Sequence, residues 1–85
     1  MKKTIKTADL LAYLTSEIEA CEAAAERYCR ALDVIDKGEY TGHNPVEKEK
    51  ERLNAHWLLM EHNIGALAKV KQQVVYHLAK EAEAE

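Results

Sequence analysis

Phenylalanine is absent from this 85-residue chain, proline occurs once and glycine three times. So few turn-forming residues exclude a β-sandwich or a collagen-like repeat, and they leave few places where a helix must stop. Cysteine is scarce too. Cys21 and Cys29 lie eight residues apart on one predicted helix, about 12 Å along its axis, which exceeds the ~7 Å limit for a disulfide. They read as small apolar residues of a reduced interior. Long apolar runs are also missing. The longest stretch without a polar side chain is Ile64 to Ala68, against the ~20 residues that a transmembrane helix needs. The basic start, Met1-Lys2-Lys3, resembles the opening of a signal peptide, but Asp9 interrupts it just before Leu10-Leu11-Ala12. A cytoplasmic chain is expected. A net charge of −3 gives no basic footprint for direct contact with nucleic acid or an anionic membrane.

What the sequence does have is alanine, thirteen of them, within a composition 47% apolar and 32% charged. That composition favours long helices in one domain spanning residues 1–85. In the first half, Leu11, Leu14, Ile18, Cys21, Ala25, Tyr28, Leu32 and Ile35 follow one another at alternating steps of three and four. Such a seam is a heptad pattern. Thr7 is placed to cap the helix, Asp9 suits its first turn, and Gly38 after Lys37 suits its end. Helix one is expected over about residues 8–37, followed by a connection over 38–44.

Helix two is expected over about 45–82. Asn44 is its cap, Pro45 its first residue, and Glu47 stands where a reciprocal capping contact forms. Its seam runs Val46, Lys50, Leu53, Trp57, Met60, Ile64, Leu67, Lys71, Val74 and Leu78. The acidic end after Lys80 lacks an apolar face and opposes the helix dipole, so it is expected to fray.

The fold class is therefore all-α, an antiparallel two-helix hairpin of coiled-coil type. Pairing Ile35 with Val46 sets Leu32 against Lys50, Tyr28 against Leu53, and Trp57 against Ala25. Continuing, Cys21 meets Met60, Ile18 meets Ile64, Leu14 meets Leu67, and Leu11 meets Lys71. In this register Val74 to Leu78 projects past helix one, within reach of Ile5 only. Two helices cannot enclose a core between them. Helix two has additional apolar residues beside its seam, Leu59, Ala66 and Val70 on one flank, and Ala68, Val75 and Ala82 on the other. Helix one adds Leu10, Ala24, Cys29 and Ala31. Widened stripes suit a helix that touches two neighbours, and small chains often gain stability by association. A homodimer forming a four-helix bundle is expected, with a different protein on the exposed stripe as the alternative.

Catalytic and metal chemistry find little support. Residues Leu53, Leu59 and Val74 stand three before His56, His62 and His77, where a di-iron bundle would need glutamates. Neither cysteine has a partner at zinc-ligand spacing. No metal or cofactor is expected, and no nucleophile motif or phosphate loop is present. A chorismate-mutase-like site needs several converging bases, and helix one has only Arg27, Arg30 and Lys37. The expected function is non-enzymatic: a protein-interaction module acting as a small adaptor, regulator or inhibitor, of a size and class found among phage and mobile-element accessory proteins. A small dimeric enzyme with an intersubunit anion site, and a subunit of a larger helical assembly, are the alternatives. Tyr40, His43, Leu59, Val70, Val75, Tyr76 and His77 are the candidate partner-binding residues.

Overall fold

The computed structural model describes residues 6–84. Over them it consists of two helices with no strand, α1 (Thr7–Asp36) and α2 (Val46–Ala84), packed side by side as a hairpin. The end of α1 follows from one residue. Gly38 takes a left-handed φ of 74°. There its N–H donates to the Ile35 carbonyl and the Glu39 N–H to that of Val34, a Schellman closure that satisfies the last carbonyls of the helix.

Both helix starts differ from expectation. Thr7 is the first residue of α1 rather than its cap; Lys6 takes the cap position without a side-chain bond. The Thr7 hydroxyl instead donates to Glu81 Oε1 across the hairpin (2.8 Å). At the start of α2, Asn44 Nδ2 donates to Glu49 Oε2 (3.1 Å), so Glu49 and not Glu47 answers Asn44. Pro45 precedes the helix, its carbonyl accepting from the Glu49 N–H.

Leu14, Ala25 and Ile35 of α1 are buried against Leu53 and Val74 of α2. The other seam residues of α1, Leu11, Ile18, Cys21, Tyr28 and Leu32, are half-buried, as are Trp57, Met60, Ile64, Leu67 and Leu78 of α2. Val46, expected to open the second seam, is 44% exposed, and Glu49 is buried in its place. Cys29 is exposed rather than interior.

The cause of the Val46 difference is register. Tyr28 stacks on His56 (ring centroids 5.4 Å apart, 18° between planes), three residues beyond the expected Leu53. Lys50 pairs with Asp36 (3.5 Å), four residues beyond the expected Leu32. Thr7 reaches Glu81 in the same sense. The helices are thus slid by about one turn. The first turn of α2 runs beside the connection instead of α1, which uncovers Val46. At the other end Val74 is covered and the acidic tail stays helical to Ala84. The expected projection of Val74 is corrected; Ile5 lies outside the described residues.

The result is a flat rod of 60 × 28 × 14 Å with a radius of gyration of 18.6 Å. A compact chain of this length has a radius near 12 Å. Its accessible surface, 6866 Å², compares with about 5,100 Å² for a compact monomer of equal mass. No side chain among the described residues is fully enclosed.

Candidate functional site

The most organised polar group lies at the loop end. Glu49 is only 7% exposed. It accepts from Arg52 Nε (3.1 Å), from a guanidinium NH2 of Arg52, and from Asn44. Arg52 first, and Asn44 second, hold the Glu49 carboxyl below the usual glutamate value of 4.5. In return the carboxylate strengthens the proton affinity of Arg52, near which Tyr28 and Tyr40 also lie. The Tyr40 ring rests against Gly42, where any Cβ would meet it. Every acceptor is satisfied from within the chain, so this cluster locks the connection onto α2. Tyr40 is half-buried as part of the lock, while His43 is exposed at the tip.

Among the described residues, no three His, Cys, Asp or Glu side chains converge on a possible metal position. The bases that an anion site would need do not converge either. Arg30 is paired with Glu26 one turn away on α1. Lys71 lies in a groove with Ile18, Ala68, Gln72 and Val75. Arg27, from its helical phase, stands on a different face.

What remains are the two broad faces of the hairpin, and they differ in chemistry. One carries the Asp36–Lys50 pair and a shallow groove in which Trp57 is flanked by Glu22, Glu26, Glu61 and Cys29. Carboxylates dominate that face. Val75, in the neighbouring groove, belongs to it as well.

The opposite face carries the stacked Tyr28 and His56. Its α1 ridge is apolar apart from one acid and one base, Glu17 and Arg27, and its α2 ridge mixes apolar residues with uncharged polar ones, so the face is neutral on balance. Tyr13 (60% exposed) and Val34 stand on α1, and Leu59 (51% exposed) and Val70 on α2, with Ala20 and Ala66 between them. Of the residues expected to bind a partner, Leu59, Val70 and His77 therefore share one face by helical phase. Tyr76 sits at the outer edge of α2, its ring edge-on to His77 and beneath Lys80. Tyr13 and Val34 were missed in the sequence because they lie off the first seam; a second alternation of three and four through α1 would have found them.

No helix is long and apolar enough to cross a membrane among the described residues. Comparison with protein-family models, curated proteins and solved structures finds no match to this chain.

Proposed function

We propose that this chain is a non-enzymatic interaction module, which self-associates through its neutral face and presents its acidic face to another protein as a small adaptor, regulator or inhibitor. The observation that carries the reading is the exposed apolar ridge of Tyr13, Val34, Leu59 and Val70 on a rod with no enclosed side chain. Exposed apolar side chains gathered on one face of a chain this small mark an association site. A chain this small gains the burial that it lacks when a second hairpin covers that ridge and forms a four-helix bundle. The acidic face would then point outward, with the Trp57 groove between carboxylates suited to a basic protein surface. The unpaired thiols of Cys21 and Cys29 fit a reducing compartment such as the cytoplasm.

The test is the dependence of thermal stability on concentration. An associating fold melts at higher temperature as its concentration rises, by mass action. A melting temperature constant across a hundredfold range would refute self-association.

A further inference from the structure

We infer that the occupant of the neutral face is a second copy packed with α1 antiparallel to α1 and α2 antiparallel to α2, in a register fixed by two reciprocal Glu17–Arg27 ion pairs. The inference rests on the interaction-module reading and specifies its partner and geometry.

Charge provides the first argument. Glu17 and Arg27 both stand, by helical phase, on the neutral face of α1, ten residues apart. That spacing is about 15 Å, too far for them to meet on one helix. Neither has an ion-pair partner among the described residues; of the other bases near α1, Arg30 pairs with Glu26 and Lys37 with Asp33, which leaves Arg27 as the base of α1 without one. Glu17 is nonetheless half-buried. A two-fold axis perpendicular to the helices at the level of residue 22 brings each Glu17 against the partner's Arg27, twice by symmetry.

The same axis makes the rest of α1 self-complementary. Ala20 meets the partner's Ala24, so the helices approach closely at the axis. Large residues then fall opposite small or branched ones: Tyr13 opposite the partner's Ala31, and Leu10 opposite the partner's Val34. Large against small is what dense packing needs. On α2 the equivalent pairing sets Leu59 against the partner's Val70, and Asn63 against the partner's Ala66. Asn63 shares that stripe with other polar residues, His56, Gln73 and His77, and this register sets His56 against the partner's Gln73.

The two pairings are also consistent with each other. Stacked hairpins share one axis, so residue 22 of α1 must lie level with residues 64–65 of α2. The observed contacts, Tyr28 with His56 and Asp36 with Lys50, place it level with residues 62–64, within one turn. In the other two-fold stacking, with α1 over α2, Glu17 would face the partner's Val70 and Arg27 the partner's Leu59, burying both charges on apolar side chains. Area is sufficient as well: the 60 × 28 Å face exceeds the ~800 Å² that each partner of a stable interface buries.

The experiment uses the full chain with Glu17→Arg, Arg27→Glu, and an equimolar mixture of the two, read by sedimentation and native mass spectrometry. Starting from a net charge of −3, both variants stay acidic overall, so no general attraction joins them. Each variant alone sets like charges together twice and should dimerise at least about tenfold more weakly than the parent. Mixed, they should form the heterodimer in preference to either homodimer, and the double variant should dimerise like the parent. Rescue in the mixture also shows that neither variant is simply misfolded. A parent dimer whose variants associate equally well and mix at random would overturn this register and leave the module reading intact. A parent that stays monomeric overturns both.

Discussion

At the scale of single residues, the clearest chemistry in the molecule is Glu49, a nearly buried carboxylate made tolerable by Arg52 and Asn44. Its lowered pKa sets the sign of a pH effect. A carboxyl with a depressed folded value adds stability that is present above the ordinary 4.5 and is lost as pH falls through the folded value. Glu49→Gln should therefore lower the melting temperature at pH 7 and flatten the acid limb below about pH 4.5. Titration of the melting temperature against pH, parent beside variant, is the check; parallel curves would mean that the carboxylate is idle. Gly38 makes a backbone prediction. Its left-handed φ of 74° has open space around it, so Gly38→Ala meets no clash and only conformational strain. The expected cost is about 1 kcal/mol, with Gly38→Asn losing less, as urea unfolding would show. Of these residues, Gly38 was legible from the sequence because a helix end leaves few alternatives. Glu49 was not, since its neighbours Glu47 and Glu51 look the same until the register decides which one faces inward.

At the scale of elements, both helices and their heptad seams were readable from spacing alone, and the slide between them was not. Moving one seam past the other by about one turn keeps every seam residue in the seam except at the end, where Val46 is uncovered. Periodicity is blind to it. The slide is read from specific contacts at the ends and middle: Thr7 with Glu81, Asp36 with Lys50, and Tyr28 with His56. The slide also redistributes energy along α2. Leu53 is 4% exposed, whereas Leu58 is 59% exposed and Trp57 only half-buried in an open groove. Leu53→Ala should cost about 2–5 kcal/mol, and Leu58→Ala within about 0.5 kcal/mol of nothing. Chemical denaturation of the two variants tests the observed rotation of α2, and a reversed order would contradict it. Lys71, half-buried among Ile18, Ala68 and Val75, should tolerate Lys71→Leu with unchanged or higher melting temperature, because its ammonium pairs with no carboxylate among the described residues.

At the scale of the whole molecule, shape carries the account. The accessible surface of 6866 Å² and the radius of gyration of 18.6 Å belong to an open rod, and the neutral ridge runs along one broad side of it. Composition and widened stripes were enough to expect a covered face. Which side is covered was hidden until the hairpin separated the carboxylate-rich face from the neutral one, because that separation depends on how the two helices are rotated against each other. The most direct measurement is sedimentation equilibrium of the parent chain at tens of micromolar and neutral pH. The account predicts a single species of twice 9.6 kDa that dissociates on dilution. A folded particle of 9.6 kDa at every concentration would contradict it.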